Sequence, residues 1–267
     1  MRGKRSSLVV ACVLLLMGVS MAGRAPAQSE DRGSGCSPAN GTPASFEAVR
    51  LYVEYNATDN DLGVHGAVDA EAYSELCIYR PDGTLILAIK PHGPLQDLML
   101  SGIFFESREP PVSKFAFDDL ANTFPEGEYN VVGATTTGQT LTGFATFTHR
   151  IPAAPRITSP PLAHDEEHAD EAAVPAELLQ IAWEEVTQTV QGDPVTITGY
   201  EVTITDVERK DPNSFSQPAF DVHLLADRHT LSVSPEFLEP HTLYELEVLA
   251  LEESGNQTIT SGFFVTE

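Results

Sequence analysis

An all-β chain of two tandem antiparallel β-sandwiches is the fold this sequence predicts, and three observations predict it. Tyr244, Leu246, Val248 and Ala250 alternate with Glu245 and Glu247, the period of two that marks a strand with one buried face. Between Phe46 and Phe147, six or seven strand-like runs and one short helical run succeed one another over about 105 residues, with turn formers between them. Ile151-Pro152-Ala153-Ala154-Pro155 then interrupts the pattern. Its prolines cannot donate to a central ladder, so a continuous sheet across it is not expected, and the domain boundary falls there.

In the first half, Val49, Leu51, Val53 and Tyr55 alternate with Arg50, Tyr52 and Glu54. A polar loop, Asn56 to Asp61, leads to a short segment from Val64 to Val68. Glu75 to Arg80 and Leu85 to Ile89 flank Pro81-Asp82-Gly83, which has the turn chemistry of a hairpin. Ile103 to Phe105 reads as a further strand. Phe115, Phe117, Leu120, Ala121 and Phe124 then recur at helical spacing, predicting one short helix near 116–124, ended by Pro125. Tyr129 to Val132 and Leu141 to Phe147 form a second hairpin around Thr137-Gly138-Gln139. A sandwich of immunoglobulin-like size over 45–152 is the natural solution.

From Pro155 onward the chain resembles the fibronectin type III domains. The residues that carry the resemblance are Trp183, Tyr200, Leu238, Pro240, Tyr244, Val248 and Ala250, in that family's order. Leu238-x-Pro240-x-Thr242-x-Tyr244 looks like the corner at which a tyrosine entering a strand bonds back to upstream backbone. Trp183 matches the family's core tryptophan, a residue that fills the space between two sheets. The resemblance implies core roles for Trp183, Tyr200, Leu238 and Tyr244, with strands over Ile157–Pro161, Leu178–Trp183, Ile197–Ile204, Phe220–Leu225, Thr230–Val233, Tyr244–Leu251 and Thr258–Val265. The acidic insertion from Leu162 to Glu177 departs from the family, and the adhesive Arg-Gly-Asp tripeptide is absent. Such a likeness transfers a fold and leaves function to be argued from a site. The first half matches no family on its residues.

Residues 1–27 read as a secretory signal peptide: Arg2, Lys4 and Arg5, an apolar run from Leu8 to Val19, and Ala25-Pro26-Ala27 as the cleavage site. Cys12 lies inside that apolar run rather than at its close, which argues against lipidation. Residues 28–44 form a polar leader, 45–152 the first sandwich and 153–267 the fibronectin type III-like domain. A secreted or periplasmic protein follows, with no stable membrane insertion after cleavage. The whole chain has 15 basic and 39 acidic residues, and the removed segment holds four basic and no acidic ones, so the remainder carries a net charge of −28. That field repels nucleic acid and anionic membranes. Cys36 and Cys77 remain, a pair that in an oxidising compartment reads as a disulfide rather than two free thiols.

No complete catalytic constellation is present, and no motif implies a cofactor. His164-Asp165-Glu166-Glu167-His168 fits a zinc-peptidase pattern by letter. However, Pro160-Pro161 precedes it, Ala169-Asp170-Glu171 follows, and no apolar helix face backs it, so a solvated acidic loop is expected. Asp59-Asn60-Asp61, with Asp69 and Glu71 nearby, offers oxygens for calcium, although Asp and Asn are common in turns for Asx-turn reasons alone. The other histidines are scattered. Tyr52, Tyr73 and Phe105 are either a stacking platform or core. Asn40, Asn56 and Asn256 begin glycosylation sequons, meaningful in a eukaryotic secretory path. The expected function is a non-enzymatic exported protein with a binding or assembly role at the envelope or outside the cell. The alternative is a calcium-dependent binder of carbohydrate or protein. The partner would be an envelope or extracellular protein, or a polysaccharide.

Overall fold

The computed structural model describes residues 35–36, 40–209 and 219–267; the signal segment and its cleavage site lie outside the described residues. The strands are β1 (Pro43–Ser45), β2 (Ala48–Asn56), β3 (Asp61–Asp69), β4 (Tyr73–Tyr79), β5 (Leu85–Ile89), β6 (Gly102–Glu106), β7 (Gly127–Thr135) and β8 (Thr140–Phe147). They continue as β9 (Ile157–Ser159), β10 (Ala173–Val174), β11 (Gln180–Trp183), β12 (Ile197–Asp206), β13 (Ala219–Leu225), β14 (Thr230–Ser232), β15 (Leu243–Glu252) and β16 (Gln257–Thr266). The helix foreseen near 116–124 is α2 (Phe117–Thr123), started by the Asp119 carboxylate accepting from Ala116 N at 2.9 Å. A second helix, α1 (Pro94–Leu98), was not foreseen; it opens with Pro94 behind Gly93 at φ 55°. The acidic insertion forms two short 3-10 turns, Glu166–Ala172 and Ala176–Leu178.

The strands build three sheets. One runs β13-β12-β15-β16-β2-β3-β6, a second β1-β8-β7-β4-β5 and a third β14-β11-β9. The break in the sheet expected at the Pro152–Pro155 linker is corrected by this order. Within the linker the β-pairing is an isolated bridge from Pro152 to Thr189, yet β16 and β2 pair in parallel, with Gln257, Thr258 and Ile259 beside Glu54, Tyr55 and Asn56. Prolines stop the strand that contains them; they do not stop a later strand from returning to an open edge. The end of the polar leader also contributes a strand, since Pro43–Ser45 pairs with Thr140–Thr142.

Two hydrophobic cores fill the space between layers. In one, Leu51, Val53, Leu76, Ile78, Tyr129 and Leu141 meet between the β2-β3-β6 end of the long sheet and the five-stranded sheet. In the other, Ile181, Trp183, Tyr200, Val202, Leu246 and Phe264 meet between the other end and the three-stranded sheet. Glu54 and Gln257 are parallel partners and so share a face, opposite to Val53 and Phe264. Both small sheets therefore cover the same side of the long sheet, and its other side is one unbroken outer surface.

Each core carries a tyrosine corner. The Tyr244 hydroxyl accepts from Glu239 N at 2.8 Å, and the Tyr129 hydroxyl donates to Pro125 O at 3.0 Å. In both, a proline lies four residues before the tyrosine, a spacing shared by Pro125-x-x-x-Tyr129 and Pro240-x-x-x-Tyr244. The Cys36 and Cys77 sulfurs are bonded, with Cα atoms 5.7 Å apart, which ties the leader to β4.

Candidate functional site

The outer face of the long sheet is set by alternation. Along β15 the inward residues Tyr244, Leu246, Val248 and Ala250 are at most 1 % exposed, and Glu245 and Glu247 face out. Along β2 the outward residues are Arg50, Tyr52 and Glu54; along β12 they include Glu201 and Thr203. Because β16 joins β2, Glu54, Glu201 and Glu247, from distant parts of the chain, line one groove of about 1340 Å³. Leu249 and Ile259 form its apolar floor. Six glutamates and one arginine, Arg50, line it, together with His65 and His223.

Crowding acid onto a half-buried surface costs ionisation energy, and the carboxylates register it. Glu247 is pushed up to about 7, first by burial and then by Glu245, Glu54 and Glu201. Burial likewise raises Glu54, against the pull of His65 and the hydrogen bond from Gln257, and raises Glu201 against His223. Burial and the Glu54 charge push Tyr52 to about 12. The groove thus favours any cation that enters it, through carboxylates that are short of counter-charge.

Two side-chain groups stand on this face. His65 lies with Nε2 2.9 Å from Glu109 Oε1 and Nδ1 3.8 Å from Glu54 Oε2. Its ring is packed between Tyr52 and Phe104, with centroids 5.5 and 5.9 Å away. His223 lies with Nδ1 3.8 Å from Glu201 and Nε2 4.0 Å from Asp221, in a much more open position.

Apart from Tyr52, the residues singled out in the sequence fall elsewhere. Trp183, Tyr200, Leu238 and Tyr244 are buried in one core, where Val186 N donates to the Tyr200 hydroxyl at 2.9 Å. His168 is exposed and bonds Asp165 at 2.6 Å, which raises the imidazole, while a 3-10 turn carries the string from Glu166 onward. At the Asp59–Asp61 loop, Asn56 Oδ1 accepts from Thr58 N and Asp59 N in an Asx turn, Asp59 Oδ2 accepts from Asn56 Nδ2, and Asn60 Oδ1 accepts from the Tyr55 hydroxyl. Tyr73 is core, Phe105 packs against the core and Tyr52 lines the groove. Asn256 is 1 % exposed and its amide donates to Thr148, so this sequon is closed to a glycan. Sequence reasoning missed the groove itself. The outward glutamates of β2, β12 and β15 were visible as strand alternation, but their meeting depends on β16 pairing with β2 across some 200 residues.

The class that this fold defines is an all-β double sandwich. Solved structures to which the chain is similar include the FN1–FN3 domains of chicken CNTN1, at 11 % identity over 85 % of this chain and 69 % of that one, with a TM-score of 0.34. The third fibronectin III domain of the human KIAA0343 protein is 15 % identical over 43 % of this chain and 82 % of that one, with a TM-score of 0.30. A tetra-tandem repeat from the extending region of a large adhesion protein is 12 % identical over 82 % of this chain and 50 % of that one, with a TM-score of 0.28. No family model and no curated protein sequence matches the chain. Among the described residues, no helix is long and apolar enough to cross a membrane.

Proposed function

We propose that the chain is a non-enzymatic exported binding protein whose recognition surface is the acidic groove on the outer face of the long sheet. The observation that carries this reading is the groove: six glutamates against one arginine, over an apolar floor, on a surface that both sandwiches build. Carboxylates beside aromatic rings such as Tyr52 and Phe104 suit ammonium and guanidinium groups, by charge and by cation–π contact. The partner is therefore a protein presenting a lysine- or arginine-bearing segment. The field of the whole chain steers such a partner in and turns anionic ones away.

The reading of residues 1–27 as a signal peptide supports a role at the envelope or outside the cell. The β16–β2 pairing and the bonds of Asn256 to Val53 and Thr148 support a fixed platform rather than a hinged pair. The test is capture from the producer's envelope and secreted fractions with residues 28–267 as bait. The reading expects one protein retained in near-stoichiometric amount and released as salt is raised from about 50 to 500 mM, since exposed charge pairs are screened over that range. A protein held equally at both salt concentrations, or none, contradicts it.

A further inference from the structure

We infer that Glu54, His65 and Glu109 form a site for a borderline divalent cation of the Zn²⁺ class at the rim of the groove. This stands apart from the partner reading, since a metal can bind whether or not a protein does.

The first ground is the donor set. One imidazole and two carboxylates, from β2, β3 and the segment after β6, offer ligand atoms that lie within 4.8 Å of one another. Nitrogen with carboxylate oxygen is the set that Zn²⁺ and Co²⁺ take, whereas Ca²⁺ asks for six or more oxygens. Tetrahedral ligands at about 2.0–2.1 Å from zinc stand about 3.3 Å apart. His65 Nε2 and Glu109 Oε1 are already at 2.9 Å, so this half of the site needs only a few tenths of an ångström. No separation in the set exceeds 4.8 Å, so none has to close by more than about 1.5 Å, and the Glu109 side chain, 37 % exposed, has room to rotate.

The second ground is preorganisation. The His65 side chain is only 6 % exposed and its ring is held by Tyr52 and Phe104, so the nitrogen donor is aimed before any ion arrives. The third is charge. Glu54, Glu106 and Glu109 surround this imidazole, and no lysine or arginine forms an ion pair with them among the described residues. A dication balances that excess; the imidazole alone does not. The group formed by Glu201, Asp221 and His223 has similar composition, but its imidazole is 67 % exposed and its contacts are 3.8 and 4.0 Å. It serves as the built-in comparison.

The experiment is calorimetric titration of Zn²⁺ into residues 28–267 at about pH 7.5, with Co²⁺ absorption as a second readout of coordination. The wild type is expected to bind one ion tightly, with a visible Co²⁺ band typical of four-coordination. His65→Gln, Glu54→Gln and Glu109→Gln are each expected to weaken Zn²⁺ at least tenfold, and His223→Gln to leave that site unchanged. Glu109→Gln changes a partly exposed side chain outside both cores, so it separates loss of the site from loss of fold; its melting temperature without metal should equal that of the wild type. Absence of Zn²⁺ binding, equal binding by Glu109→Gln, or loss of the tight site in His223→Gln overturns the assignment.

Discussion

Val53 N, in the middle of β2, donates a 2.8 Å hydrogen bond to the side-chain carbonyl of Asn256, more than 200 residues away. The same amide donates to Thr148 O at 3.1 Å and Thr148 Oγ1 at 3.0 Å, and Asn256 N bonds Glu252. One buried side chain thus binds β2, the exit from β8 and the turn between β15 and β16. Thr258 Oγ1 to Pro152 O at 2.6 Å and Ser261 N to Thr58 Oγ1 at 2.8 Å extend the seam. The groove exists because this seam holds.

Removing the Asn256 amide leaves Val53 N buried without an acceptor. Asn256→Ala is expected to cost about 2–3 kcal/mol, read as a lower urea midpoint at unchanged slope. A cost below about 0.5 kcal/mol would mean that the seam contributes little. Peptide mapping after expression in a eukaryotic secretory host should find Asn256 free of glycan, because its side chain is sealed.

The two tyrosine corners should act alike. Tyr244→Phe removes the acceptor of Glu239 N, and Tyr129→Phe removes the donor to Pro125 O. Each is expected to cost about 1 kcal/mol, and the double variant the sum to within about 0.5 kcal/mol, since they sit in separate cores. Coupling well beyond that would show that the cores unfold through shared contacts.

The acidic face makes stability depend on pH. Glu247 has a folded-state value of about 7, above its ordinary 4.5, so the folded chain binds the extra proton. Its contribution is therefore full below pH 4.5 and is lost as pH rises through about 7. At about 1.4 kcal/mol per unit the ceiling is roughly 3 kcal/mol, lowered by solvent screening. Glu247→Gln should raise the melting temperature at pH 8 and change it little at pH 4.5. An equal effect at both values would contradict the crowding of carboxylates at the groove.

The Cys36–Cys77 bond closes a loop with a sequence separation of 41, worth roughly 4 kcal/mol in the chain-entropy model. Reductant should lower the melting temperature of the wild type and leave that of Cys36→Ser unchanged. No change in the wild type would make the bond dispensable.

Local patterns carried the strands far into view. The alternation of Tyr244 to Ala250 and the turn at Pro81-Asp82-Gly83 depend on neighbours, and the corresponding strands lie where the periodicity put them. Helix α1 was illegible, because Pro94-Leu95-Gln96-Asp97-Leu98 spans little more than one turn and leaves Leu98 exposed, with no buried face to leave a pattern. The first half hid its corner in plain sight: Pro125-x-x-x-Tyr129 repeats the spacing of Pro240-x-x-x-Tyr244. The groove was illegible for a different reason. Glu201 and Glu247 meet through the pairing of β12 with β15, and only the three-residue pairing of β16 with β2 brings Glu54 to them. So short a register leaves no periodicity of its own.

The most direct test of the acidic groove as the recognition surface is a comparison of baits. Residues 28–267 and the same chain carrying Glu201→Lys and Glu247→Lys would be used to capture protein from the producer's envelope and secreted fractions. Both substitutions face outward, and circular dichroism would confirm that the variant is folded. The groove reading predicts one near-stoichiometric partner on the wild type and its loss from the variant. The same partner held equally by both baits would contradict it.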